Sequence, residues 1–252
     1  MFGALGHTLG KTTRILDFGC GSGELVRAAY EAGLDAYGCD IDFSSEWVDH
    51  ETLAELRATN RVRQIDRASP GKVSPGSEEI YHLPFDDETF DVVISDQVFE
   101  HVRNYREALD EIARVTKPDA VMLHFFPARY TPIEPHIFVP LAGFFHPRWW
   151  LLLWALLGVR NQYQHGLTAA QTVASNENFL RDMVNYLTMK QIRREFERHF
   201  SLLNAEGNFM RLSKRAKMFL TPGLYRTFRA HCLFAQRHLQ RPTRSLQARS
   251  LQ

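Results

Sequence analysis

Cysteine is scarce in this chain. The 252 residues hold three, Cys20, Cys39 and Cys232. They are too few for a disulfide framework and lack metal-ligand spacing, which fits a reducing compartment. Acidic residues stop at Glu206, while Arg211, Lys214, Arg215, Lys217, Arg226, Arg229, Arg237, Arg241, Arg244 and Arg249 follow. Two readings of that imbalance stand: a solvated basic face running into a disordered tail, or a surface for an anionic partner such as phospholipid headgroups or a phosphorylated substrate. Over the whole chain, 30 Lys and Arg offset 29 Asp and Glu, so no global field points to nucleic acid. The most apolar run, 149–159, falls short of the roughly twenty residues that cross a bilayer. A first strand near Arg14 leaves no room for a signal peptide, so a cytoplasmic protein is expected. Neither an internal repeat nor a transition-metal ligand cluster is visible, and no metal is expected.

What the chain does have is a glycine turn at the end of a buried strand. Ile15-Leu16-Asp17-Phe18 runs into Gly19-Cys20-Gly21-Ser22-Gly23, and an amphipathic helix follows from Glu24. Glycine serves where the backbone takes a positive φ or lies against a ligand. The helix start offers free N–H groups and the positive end of a dipole, suited to an anion such as a carboxylate. Strands and helices then alternate, which predicts a doubly wound parallel α/β sheet. Strands are expected over 13–18, 36–39, 90–95, 120–126, 201–204 and 228–236. Helices are expected over 23–32, from Ser44 or Ser45, over 105–116, and from a Thr188 cap through about His199. Lys117-Pro118-Asp119 is expected to end the third of these, and 61–77 reads mostly as turn or loop.

The turn does not suit a dinucleotide. G-x-G-x-x-G needs a third glycine where Glu24 stands, which disfavours a Rossmann oxidoreductase. Asp40 closes the second strand about twenty residues on, where an acid can accept hydrogen bonds from both hydroxyls of a ribose; Asp42 is the alternative, and a helix cap or solvated turn is the plain structural reading. The Asp17-Phe18-Gly19-Cys20-Gly21-Ser22-Gly23 run resembles motif I of the class I S-adenosylmethionine-dependent methyltransferases (type 11). Leu83-Pro84-Phe85 with Phe90-Asp91, and Ser95-Asp96-Gln97-Val98-Phe99-Glu100-His101-Val102, resemble two further segments of that family, in family order.

The resemblance covers about residues 15–126. It implies a seven-stranded sheet of order 3-2-1-4-5-7-6 with the last strand antiparallel, and S-adenosylmethionine as cofactor. The implied pocket draws on Asp17, Gly19, Cys20, Gly21, Gly23, Asp40, Ile41, Glu79, Ile80, Ser95 and Asp96. Glu79 departs from the aspartate usual in the family at the adenine, and Ile80 is placed to cover the adenine face. Four segments are expected: 1–128 as the cofactor half, 129–186 as an apolar and aromatic substrate cap inserted after the fifth strand, 187–238 completing the sheet, and 239–252 as a basic disordered tail.

The implied reaction moves a methyl group to a hydroxyl or similar group of a small-molecule, glycan or lipid-linked acceptor. A catalytically silent cofactor- or partner-binding protein is the rival of a different class. Candidate bases are His101, and Glu134 with His136 just past the fifth strand. His124, inside that strand, is a weaker candidate that reads first as a core histidine, while His101 reads equally as a helix-start histidine bonded to backbone. The stretch 137–159 is apolar all round, which suits either burial, against the core or a second subunit, or a membrane interface.

Overall fold

The computed structural model describes residues 1–43, 49–65, 82–212 and 221–238. Seven strands form one sheet: β1 (Arg14–Phe18), β2 (Asp35–Asp40), β3 (Val62–Gln64), β4 (Phe90–Asp96), β5 (Thr116–Pro127), β6 (Phe200–Asn204) and β7 (Ala230–Arg237). Their order is β3-β2-β1-β4-β5-β7-β6. The first five pair in parallel, while β7 runs antiparallel to both β5 and β6. This is the order that the glycine turn and its companion segments imply.

Alternation along each strand sorts side chains onto two faces. Leu16, Phe18, Val93 and Met122 join one buried cluster with Leu109 and Ile112 of α3 (Tyr105–Val115) and Ile192 and Phe196 of α6 (Met189–Phe196). Ile15, Val92 and Val121 join the other, with Val26 of α1 (Glu24–Glu31) and Leu53 and Leu56 of α2 (His50–Ala58). Each face of the parallel sheet is therefore covered, as such sheets require.

Several boundaries differ from the sequence expectation, each for a local reason. The second helix begins at His50 because Asp49 caps it, its carboxylate accepting from the Glu51 and Thr52 N–H groups; Ser44 and Ser45 lie outside the described residues. Lys117-Pro118-Asp119 does not stand between helix and strand but belongs to β5. Pairing to β7 begins only at Val121, so Pro118 has no ladder bond to lose there. A register shift between Phe90 and Val92 and a positive φ at Asp119 absorb the irregularity. The helix capped by Thr188 ends at Phe196, short of His199. The last strand starts at Ala230, not Phe228, because α8 (Pro222–Phe228), capped by Thr221, occupies the preceding residues. The short α7 (Glu206–Leu212) went unforeseen.

Residues 129–186 hold α4 (Arg148–Leu156) and α5 (Ala169–Asp182), with a buried cluster of their own that includes Ile137, Val139, Leu151, Val173 and Leu180. One side of α4 therefore packs inward. Trp149, Leu152, Leu153 and Leu156 on its other side stay exposed, as do Phe144 and Phe145 before it.

Candidate active site

The carboxyl ends of β1, β2 and β4 meet at one edge, the edge where open α/β sheets bind ligands. After β1 the chain passes through three glycines with positive φ: Gly19 at 78°, Gly21 at 50° and Gly23 at 81°. Their surroundings differ. A Cβ on Gly19 would stand 2.4 Å from Val98 Cγ2, and one on Gly23 would stand 2.5 Å from Leu56 Cδ1. One on Gly21 would meet nothing within 4 Å. Gly19 and Gly23 are thus required by packing, while Gly21 borders open space.

Asp40 ties the turn to β2. Its Oδ2 accepts from Gly21 N at 2.8 Å, and its Oδ1 from Ile41 N at 2.7 Å and Asp42 N at 3.4 Å. A carboxylate has about four lone-pair positions, so capacity remains for a ligand hydroxyl. Burial raises the Asp40 pKa against these bonds.

Asp17 lies 6% exposed beneath the turn. Burial, and then the nearby charges of Asp40 and Asp96, push its pKa up to about 7. Three carboxyl groups from three neighbouring strands therefore converge. That field suits a cationic ligand, and a sulfonium with an α-ammonium group is one. The first turn of α1 receives no side-chain cap from Gly23, so its N–H groups remain available to a carboxylate.

The other expected pocket residues fall differently. Cys20 is buried, its side chain packed over Gly38 with only its backbone in the turn. Ile41 is partly buried and packs on the core. Ser95 is turned into the interior, where its hydroxyl pairs with His124 Nδ1 at 2.8 Å, so it is not displayed at the sheet edge beside Asp96. Glu79 and Ile80 lie outside the described residues.

Beyond β4 the chain turns back against the glycine loop through Val98, and Glu100 and His101 follow at once. His101 Nδ1 meets the Met183 carbonyl at 2.7 Å. A carbonyl only accepts, so Nδ1 carries the proton and Nε2 the lone pair. Burial lowers the His101 pKa. The end of the 129–186 segment is fastened here as well: Asn185 N donates to the Glu100 carbonyl at 2.6 Å, and Asn185 Nδ2 to that of Val102 at 2.9 Å.

Glu134 and His136 reach the same place, with the His136 ring centroid 5.1 Å from that of His101. Glu134 is fully buried. It accepts from His136 Nδ1 at 2.7 Å, Tyr186 Oη at 2.6 Å, His136 N at 2.8 Å and Ile137 N at 2.7 Å. Burial alone would raise its pKa, but these bonds outweigh burial and hold the carboxyl below its usual value. Burial likewise opposes charge on His136, and Glu134 more than compensates, so the His136 pKa is raised. The sequence reading missed Tyr186 and the Met183 carbonyl, which no motif marks, and assigned no role to Glu100, although the Glu-His pair itself was in view.

His124 proves to be a core residue. It is fully buried, between Phe99 at 4.9 Å and Phe196 at 5.2 Å, and burial presses its pKa down to about 3. It does not reach the edge where the other candidates gather.

Comparison with known proteins agrees with this geometry. Residues 16–124 match the family model described as a methyltransferase domain. An uncharacterized methyltransferase of Schizosaccharomyces pombe is 34% identical over 111 residues, which are 43% of this chain and 37% of that protein. The 2-phytyl-1,4-naphtoquinone methyltransferase of Nostoc punctiforme is 30% identical over 106 residues, 42% of each chain. A ubiquinone biosynthesis O-methyltransferase of Methylococcus capsulatus is 30% identical over 112 residues, 44% of this chain and 42% of that one. The chain spans less than half the length of these relatives. The strand order and the glycine turn agree with that match, so residues 16–124 are similar to a methyltransferase domain.

Proposed function

We propose that the protein moves a methyl group from S-adenosylmethionine to a hydroxyl of an amphiphilic acceptor, small or lipid-linked, held between the glycine turn and the 129–186 segment. The observation that carries this reading is the meeting of two halves at one sheet edge. Asp17, Asp40 and Asp96 come from the strands, while His136 with its Glu134 support comes from the inserted segment and stands beside His101. When bound, the sulfonium supplies a methyl group already activated for displacement. The task left to the chain is to hold the acceptor oxygen in line with that methyl and to relieve it of a proton. Orientation of this kind accounts for about 7–11 kcal/mol of barrier, and a positioned base for about a hundred- to ten-thousand-fold. His101 Nε2, on a ring whose pKa burial lowers, is the proton acceptor that the hydrogen bonding favours.

The amphiphilic character of the acceptor rests on α4. Trp149 and Leu156 are 60% and 69% exposed on a helix whose other side is packed, with Phe144, Phe145, Leu152 and Leu153 on the same surface. Among the described residues no helix is long and apolar enough to cross a membrane, so contact would be peripheral, at the inner membrane face. The names of the quinone-pathway relatives are compatible with such an acceptor.

Calorimetry with S-adenosylmethionine and its demethylated product tests the first half, and binding of neither refutes it. Flotation with anionic liposomes tests the second. Trp149→Asp with Leu156→Asp should abolish flotation. Leu156 is the better partner for Trp149, because the Trp150 indole donates to the Pro140 carbonyl at 2.7 Å and supports the local fold. Flotation that is absent in the wild type, or unchanged in the double variant, sinks the membrane reading.

A further inference from the structure

The fold assembles a group of metal-ligating side chains that the sequence does not display. Glu100, His101 and His136 each offer one ligand atom, and the three atoms lie within 4.8 Å of one another. His136 is far from the other two in sequence, so no spacing rule finds it.

Both Glu100 carboxylate oxygens are buried and have no hydrogen-bond partner among the described residues, although the residue is only 1% exposed. An unpaired buried carboxylate is costly. His101 Nε2 lies 3.9 Å from Glu100 Oε1. That nitrogen bears a lone pair, because Nδ1 is committed to the Met183 carbonyl. His136 is arranged alike: Nδ1 is held by Glu134, which leaves Nε2 free to ligate. Each imidazole therefore has its outer nitrogen fixed, one by a backbone carbonyl and one by a carboxylate. Metal-binding histidines are oriented in this way. The Glu134 carboxylate is itself anchored by Tyr186 and two backbone N–H groups. Three potential ligand atoms therefore face one another within 4.8 Å.

We propose that Glu100, His101 and His136 bind one divalent first-row transition ion, zinc being the best match, with at least one coordination position left open towards the substrate edge. Two imidazoles and one carboxylate form a donor set used for zinc and for iron(II) in catalytic sites, where three protein ligands leave room for a water or substrate oxygen. Bonds of about 2.0–2.2 Å set tetrahedral ligand atoms about 3.3 Å apart, so the trio must close by roughly 1.5 Å.

The binding claim does not depend on methyl transfer, but the role of the ion rests on the function proposed above. With the ion bound, His101 Nε2 would be committed to it and no longer serve as the base, and an acceptor hydroxyl in the open position would release its proton to water more readily. Its oxygen would then form the O–C bond as the S–C bond breaks.

The test uses the full chain, stripped with EDTA and dialysed, then titrated with zinc chloride in a calorimeter and with cobalt(II) chloride in a spectrophotometer. One zinc per chain is expected, with visible cobalt bands of a four- or five-coordinate ion. His101→Gln and His136→Gln should each weaken zinc binding at least tenfold, and Glu134→Gln, acting through His136, about tenfold. His146→Gln should leave binding unchanged, since that ring is engaged with the Ala142 carbonyl outside the cluster. Fewer than one ion per two chains, or undiminished affinity in both ligand variants, overturns the proposal. Should either variant fail to fold, zinc-induced shifts of the His101 and His136 ring signals in the wild-type NMR spectrum decide it; rings that do not shift overturn it. Zinc bound at this stoichiometry in a chain that ignores S-adenosylmethionine would uphold the metal site and defeat the methyl-transfer reading alone.

Discussion

Gly19 and Gly21 stand two residues apart with similar backbone signs and should fail for opposite reasons. Alanine at Gly19 meets both penalties the structure contains. Its φ of 78° costs a residue with a Cβ about 1–2 kcal/mol, and the new methyl would lie 2.4 Å from Val98 Cγ2, an overlap worth about 1–3 kcal/mol in a packed interior. Together that is about 2–5 kcal/mol, which lowers the melting temperature of a chain this size by on the order of 10 °C. Gly21→Ala carries only the backbone penalty, about 1 kcal/mol, because no atom lies within 4 Å of its Cβ. Its melting temperature should drop by about 2–4 °C, while its methyl intrudes on the space assigned to the cofactor and reduces affinity at least tenfold. Thermal melts read the first effect, and calorimetry with S-adenosylhomocysteine reads the second. Val98→Ala in the Gly19→Ala background removes the two methyl carbons that clash, and should recover the overlap share of the loss but not the backbone share. Native cofactor affinity in Gly21→Ala would refute the placement of the ligand over this turn, and equal melting losses at the two glycines would refute the packing argument.

Other positions separate in the same manner. Asp40→Ala removes a carboxylate that both accepts from Gly21 N and is assigned to the ribose; with charged hydrogen bonds worth about 1.5–3 kcal/mol, calorimetry should show a loss of about ten- to a hundredfold in cofactor affinity. Ser95→Ala should destabilise the fold by about 1–3 kcal/mol in denaturant titration, since it strips the buried His124 Nδ1 of its partner, and should leave cofactor affinity unchanged; a large drop in affinity would return Ser95 to the pocket. Asp17 gives a pH signature. Its pKa is raised from 3.8 to about 7 in the fold, so the folded state holds this proton more tightly than the unfolded chain, and the associated stability is complete below about pH 3.8 and lost as pH rises through 7. Asp17→Asn should therefore melt higher than wild type at pH 8, by on the order of a few kcal/mol, and alike at pH 4; a variant less stable at pH 8 would mean that the ionised carboxylate is favoured in the fold.

The frame was legible because it rests on local rules. A strand ending in closely spaced glycines, an acid at the tip of the next strand and an alternating βα rhythm each have a short-range cause, and they pointed to a doubly wound sheet, while the strand order followed from the family resemblance. Boundaries slipped where a longer-range partner decided them. Pro118 sits in a strand because β7 pairing does not reach that far, and Phe228 ends a helix because Thr221 caps it. Ser95 and His124 illustrate a related blindness. A motif gives the position of a side chain along the chain but not the face of β4 or β5 on which it lies, and here the serine and the histidine find each other inside the sheet packing. The acid-imidazole group is the extreme case. Glu100 and His101 are adjacent in a recognisable segment, yet their chemistry is set by Met183, Glu134, His136 and Tyr186, all contributed by the segment inserted after β5. Had that segment only covered the acceptor, its apolar residues would suffice. Instead it brings a carboxylate saturated with hydrogen bonds, whose effect is to fix one nitrogen of one histidine, and it sets that ring facing a carboxylate that has no partner. Burial there raises the Glu100 pKa to about 8, so the cost of its unpartnered position is met by a proton, which a bound cation would displace.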